Sequence, residues 1–211
     1  MIAASANAEE RYLYKRYSER SGESMDTSHF VISDLENGMK KYVWDNSNSG
    51  HSEITEYTLD AQGMCIVWNR ANDVENTKFV VENDGAKLTI KGVLKGKAVD
   101  KALRYKDHPY YANPKIELMD FIRSGKEKVE FWTLRSDTLT TYKMIAFNKG
   151  IEAVAINGTL TRAYRIEWGP SIGMLSKYFS RVYWFRESDH IFIKQLGSNR
   201  YVRELIQETH D

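Results

Sequence analysis

Apolar and polar residues alternate along most of this chain. In 159–168 the apolar side chains Leu160, Tyr164, Ile166 and Trp168 fall on one face, with Arg162 the exception. Thr161, Ala163, Arg165 and Glu167 make up the other face. A period of two describes a strand with one wet side, as in antiparallel sheet. Similar runs occur at 11–20, 41–46, 52–59, 64–70, 78–82 and 87–94, and again at 129–134, 139–147, 181–186, 191–195 and 201–205. β-branched and aromatic residues fill them, as a half-buried pleated surface prefers.

Turn chemistry separates the runs at short intervals. Asp84-Gly85 and Asn157-Gly158 are pairs favoured in type I′ hairpins, whose two central residues both need positive φ. Asp60-Ala61-Gln62-Gly63, Asn148-Lys149-Gly150, Glu187-Ser188-Asp189-His190 and Gly197-Ser198-Asn199 read as longer hairpin loops. One helix stands out, from Pro114 to Ser124. Asn113-Pro114 provides an N-cap and a first-turn proline, and Glu117 and Asp120 follow near the positive end of the dipole. Ile116, Met119 and Ile122 form its apolar stripe, widened by Leu118 and Phe121, and Gly125 offers the left-handed stop. A second short helical turn is expected within 170–179. The pattern predicts a mainly β protein, an antiparallel meander curled into a half-open barrel around one α-helix (Pro114 to Ser124). With no flexible linker in sight, residues 9–211 are read as one domain.

Composition narrows the functional classes. Thirty Lys and Arg nearly cancel 29 Asp and Glu, leaving a formal charge of +1 over 211 residues. A binder that tracks nucleic-acid phosphates needs an excess of positive charge, so nucleic acid is not an expected partner. No stretch has the length of apolar sequence that spans a bilayer. A single cysteine, Cys65, excludes an internal disulfide, so the core alone must hold the domain. The opening residues end in Ala6-Asn7-Ala8, which fits the small-x-small pattern that signal peptidase accepts. Residues 1–8 are therefore read as the tail of a signal peptide or a disordered leader, and the protein as periplasmic or secreted.

Motifs for chemistry are weak. Gly169-Pro170-Ser171-Ile172-Gly173 spells a nucleophile elbow, which requires an α/β sheet that the meander lacks. Asp189 and His190 share one turn and are poorly placed to serve Ser171 as separate partners. His29, His51, His108, His190 and His210 show no metal-ligand spacing, so neither metal nor cofactor is expected. Gly92-Val93-Leu94-Lys95-Gly96-Lys97 lacks the Ser or Thr of a phosphate loop, and Lys95-Gly96-Lys97 reads as a charged hairpin tip. Asn157-Gly158-Thr159 is formally a glycosylation acceptor that a hairpin turn explains. No catalysis is expected.

Aromatic side chains are the remaining candidates. Trp44, Trp68, Trp132, Trp168, Tyr142 and Tyr164 all fall on predicted strands. Gathered on one face of a curved sheet they would line a concavity for a lipid or another apolar ligand. Packed solid, they would simply be core, and an envelope protein-protein or cell-wall interaction module becomes the competing reading.

The order of features from the helix onward, with Glu130-Phe131-Trp132-Thr133-Leu134-Arg135, the strand ending at Gly150-Ile151-Glu152, the run 159–168, and Tyr183-Trp184-Phe185-Arg186 leading into Asp189-His190-Ile191-Phe192-Ile193-Lys194, resembles a bacterial family of periplasmic domains of unknown function. Those domains are similar to the half-open β-barrels of the lipoprotein-carrier (Lol-type) fold. The resemblance implies a curved antiparallel sheet around a helix, an exported protein, and a lipophilic cavity in some members. It implies no catalytic residue.

Overall fold

The computed structural model describes residues 8–48, 50–171, 181–197 and 200–210. Among these residues fourteen strands and one α-helix are formed. The first eight strands are β1 (Glu9–Ser18), β2 (Ser24–Asp34), β3 (Lys40–Asp45), β4 (Glu53–Leu59), β5 (Cys65–Asn72), β6 (Thr77–Asn83), β7 (Lys87–Leu94) and β8 (Lys97–Arg104). Helix α1 (Pro114–Arg123) follows, then β9 (Lys128–Leu134), β10 (Thr141–Ile156), β11 (Thr159–Pro170), β12 (Arg181–Arg186), β13 (Phe192–Leu196) and β14 (Tyr201–His210). They make one antiparallel sheet in the order β8-β7-β6-β5-β4-β3-β2-β1-β14-β13-β12-β11-β10-β9. Consecutive strands are neighbours except for β8 and β9, and β1 also pairs with β14, Glu10 opposite His210 and Ser18 opposite Tyr201. The sheet does not close. Its two edges are β8 and β9, which are consecutive in the chain and joined by the segment carrying α1. The architecture is the mainly β, barrel-like meander around a single helix that the alternation predicts.

Inward positions explain why the sheet wraps. Tyr12 and Tyr14 of β1, Phe30 and Ile32 of β2, and Tyr42 and Trp44 of β3 are all buried, as are Tyr183 and Phe185 of β12. Their rings form a continuous belt: Phe30 lies 4.9 Å from Trp44, Trp44 5.2 Å from Tyr14, Tyr14 5.5 Å from Phe192 and Phe192 5.2 Å from Tyr183 (centroid distances). Large aromatics bury much area each, so a curved wall of them needs a partner inside. That partner is α1. Ile116, Leu118, Met119, Phe121 and Ile122 are all buried, so the helix is apolar well beyond one stripe. A helix enclosed on most of its sides reads this way, with Asp120 and Arg123 left exposed. The Asn113 side chain caps it by accepting from Lys115 N at 3.2 Å, and Gly125, at φ 67°, donates to the Ile122 carbonyl just past its end.

The opening between β8 and β9 is dressed by the connection itself. Residues 109–111 run parallel to β9, with Trp132 N donating to the Pro109 carbonyl and Tyr111 N to the Trp132 carbonyl, each at 2.8 Å. The Tyr105 ring lies tilted against that of Tyr110, and its hydroxyl donates to Asn83 Oδ1 at 2.6 Å. Lys101 of β8 reaches the Leu139 carbonyl beyond β9.

Several local expectations are corrected. Strands β2 and β8 appear where the alternation is masked: β2 opens on Ser-Met-Asp-Thr-Ser-His, and β8, an edge strand, buries no side chain fully. Asn148-Lys149-Gly150 is not a hairpin loop but a bulge inside the 16-residue β10, where the register with β11 shifts and Gly150, at φ 89°, donates to Asn148 Oδ1. Asn157-Gly158 has positive φ at both residues, but at Asp84-Gly85 only the glycine does, because the Asp84 carboxylate instead accepts from Ala86 N and Lys87 N. Leu160, expected on the apolar face, is 75% exposed at the tip of the β10–β11 hairpin, whereas Ala163 on the opposite face is fully buried. Lys95-Gly96, both at positive φ, is the expected hairpin tip. Residues 172–179 of the second helical turn, Ser198-Asn199 and residues 1–7 of the leader lie outside the described residues.

Candidate functional site

Helix α1 fills the middle of the barrel but not its two ends. At the end where α1 begins, a cup of about 830 Å³ remains. Its floor is the start of the helix: Asn113, Pro114 and Lys115. One wall is Trp44 of β3 and Tyr57 of β4, and the opposite wall is Tyr142 and Met144 of β10 with Trp168 of β11. Tyr183, Arg181 and Arg203, from β12 and β14, complete it, and the turn Arg135–Asp137 forms part of the rim. The volume lies within the ~300–1,000 Å³ usual for small-molecule sites. At the other end, where α1 stops, a second cleft of about 530 Å³ is bordered by Tyr12, Tyr42, Met119, Asp120 and Arg123.

The six aromatic candidates divide. Trp44, Trp168 and Tyr142 come together on the cup. Trp68 does not: it is 3% exposed, stacked on Tyr57 and edge-on to Phe79 within the core. Trp132 lies on the edge strand, where its indole N–H donates to the Lys106 carbonyl at 3.0 Å and pins the connection to β9. Tyr164 sits opposite Phe185 with its ring 5.6 Å from His190, away from both clefts.

Basic residues, which the alternation did not single out, complete the cup. Lys115 Nζ stands 4.1 Å from the centroid of Trp44 and 5.4 Å from that of Phe192. Arg203 lies 5.1 Å from Trp44, and Arg181 5.0 Å from Trp168. Burial pushes the Lys115 pKa well below the usual lysine range, with Arg203, Arg181 and Arg16 adding to the shift. Burial likewise lowers that of Arg203, assisted by Arg16. The signal was present in the series Tyr12-Tyr14-Arg16, Arg181-Tyr183-Phe185 and Arg203-Leu205: each places an arginine two positions from a buried residue, near one end of its strand. Tyr183, between Arg181 and Phe185, has its pKa pushed up to about 12 by burial, so it faces the cup as a neutral phenol.

The groups singled out for chemistry are dispersed. Ser171 N donates to the Lys143 carbonyl at the end of β11, and Ile172-Gly173 of its motif lie outside the described residues. The Asp189 carboxylate is held by Arg186 and accepts from Ile191 N, while His190 packs on Tyr164. His51 contacts Asn48, and His108 faces Glu130 at 3.6 Å. Cys65 is buried, and burial, with the nearby Glu117 carboxylate, pushes its thiol pKa well up.

No protein-family model and no curated protein matches the sequence. Among solved structures, the chain is similar to a β-barrel-like protein of the domain of unknown function DUF1849 from Brucella abortus. The two share 12% identity over 97% of this chain and 98% of that one, with a TM-score of 0.60. At this identity the likeness is one of fold, a barrel-like antiparallel sheet. Two further structures, PNGF-II (9% identity, 98% of this chain, 28% of that one, TM-score 0.41) and a DUF1329 family protein from Desulfovibrio piger (9%, 99% and 87%, TM-score 0.25), align too loosely to inform the fold or the site.

Proposed function

We propose that this protein is an exported, non-catalytic binder of a lipophilic molecule, held in the cup between the start of α1 and the aromatic wall. The observation that carries the reading is the 830 Å³ space itself, walled by Trp44, Trp168, Tyr183 and Met144. An interaction module would have its interior filled instead. Burial supplies the affinity: each methylene removed from water contributes ~0.8 kcal/mol, so a decyl chain gains roughly 8 kcal/mol before several are lost to immobilisation. The net of about 4 kcal/mol puts binding by the chain alone near the millimolar scale. The Ala6-Asn7-Ala8 pattern supports delivery to the periplasm or beyond.

A bromine-tagged fatty alcohol tests the cup directly. Trp44 and Trp168 should be quenched on titration, and a Trp44→Phe, Trp168→Phe double variant should lose most of that quenching, because Trp68 and Trp132 lie away from the cup. Absence of saturable quenching in the wild type would remove the proposal.

A further inference from the structure

The cup holds more basic than acidic side chains, and part of the excess has no counter-ion. Five basic groups line it (Lys115, Arg135, Lys143, Arg181, Arg203) against one acid, Asp137. Two are satisfied: Arg135 Nε is 2.9 Å from Asp137 Oδ1, and Lys143 is 2.7 Å from Glu130. Lys115, Arg181 and Arg203 have no ion pair among the described residues; they meet the faces of Trp44, Phe192 and Trp168, and Arg181 also contacts the neutral Tyr183 hydroxyl. Asp26, whose charge is felt at Arg203, is ion-paired to Arg16. The remaining residues offer little, since 1–7, 49, 172–180 and 198–199 contain no Asp or Glu. Asp211 follows His210, which borders the opposite cleft.

The fold treats a structural interior cation differently. Arg70, 8% exposed, is given two carboxylates, Glu53 and Glu75, at 3.0 Å each. Lys194 is given Glu204 at 3.0 Å. An unpaired charge held out of water is costly, and Lys115, whose cationic form is disfavoured by burial and by the neighbouring Arg203 and Arg181, marks a site short of negative charge. A buried donor points the same way: Trp168, 4% exposed in the cup wall, has an indole N–H without an acceptor among the described residues. The second cleft has the opposite sign, with Glu10, Asp60, Asp120 and Asp189 against Lys40 and Arg123.

We infer that the ligand of the cup is an amphiphile with a compact anionic head, a carboxylate or a phosphate, which seats against Lys115, Arg181 and Arg203 while its chain lies along Trp168, Tyr183 and Met144. This rests on the cup being a lipophile site and adds the chemistry of the head. The acidic cleft at the far end repels the same ligand, so charge selects the end of the barrel that is used.

Calorimetry with decanoate, decyl phosphate and decanol on the full chain separates the possibilities. At least one anion should bind tenfold or more tighter than decanol, the tighter of the two assigning the head. Raising the salt from low ionic strength to about 0.5 M should erode that preference, because screening acts on the charged ligand alone. In a Lys115→Met, Arg203→Gln double variant the ratio of anion to alcohol affinity should collapse toward one; the salt series on the wild type decides the matter should that variant fail to fold. Equal affinity for decanol and both anions overturns the anionic head yet leaves the lipophile site standing. No binding of any of the three removes both.

Discussion

Glu117 shows how a single side chain ties the helix to its approach. It lies 3% exposed inside the barrel and accepts from Ala112 N at 2.7 Å and Asn113 N at 3.0 Å, the two amides just ahead of α1. Burial outweighs those hydrogen bonds and lifts its pKa from 4.5 to about 8. Between those two values the folded protein holds a proton that the unfolded chain has released, so stability falls as pH rises from about 4.5 to about 8 and levels off above. Glu117→Gln cannot titrate. Urea unfolding of this variant should show a lower stability than wild type near pH 5, by about 1 kcal/mol for the acceptor it loses, with the gap shrinking or reversing by pH 8.5. A gap independent of pH would mean that Glu117 is not the group responsible. Gly92 makes a different demand. At φ 140° it pairs with Phe79, and a Cβ there would come within 2.3 Å of the Lys78 carbonyl oxygen and 2.7 Å of Phe79 Cα. Both obstacles are backbone, so Gly92→Ala should cost more than ~1 kcal/mol in urea or thermal unfolding.

At the scale of elements, legibility tracked how sharply one face was buried. Strand β6, with Thr77, Phe79, Val81 and Asn83 buried in strict alternation, is plain in the sequence. Strand β8 is not, since an edge strand with no fully buried position imposes no pattern on its residues. Helix α1 was readable from both ends because its cap, its proline and its terminal glycine each answer a local backbone need; it starts at Pro114 as expected and ends at Arg123, one residue early, with Ser124 as its C-cap. The long hairpin of β10 and β11 was misjudged at its middle. The bulge at Asn148–Gly150 uses turn-like residues to bend a strand, and the tip then folds back, with Asn157 N donating to Glu204 Oε1 at 2.6 Å and Lys194 Nζ to the Ala155 carbonyl at 2.8 Å. A turn motif and a bulge motif ask for the same residue types. The candidate site was half legible for a related reason. Aromatics stand out by type, but which of them border empty space depends on how far the helix reaches, and an inward arginine is noticed only once inwardness is known. Trp44 and Trp68 look alike in the chain; one faces the cup and the other is enclosed by Tyr57 and Phe79.

Over the whole molecule, two uneven halves, β1–β8 and β9–β14, each form by pairing neighbours in sequence, and β1 with β14 is the strand pairing that joins them. That pairing joins residues nearly a full chain length apart, which makes it the entropically slowest to form. In a chevron analysis Val81→Ala, inside the first meander, should lower the folding rate. Leu205→Ala, on β14, should act mainly by speeding unfolding, with a φ-value below that of Val81. The reverse order would mean that the ends meet first. During synthesis the consequence is sharper. A growing polypeptide can lay down its first eight strands in succession, yet β1 keeps one row of amides and carbonyls bare until β14 has emerged. That interval, more than any moment in the finished protein's life, is when one copy is most exposed to sticking to another.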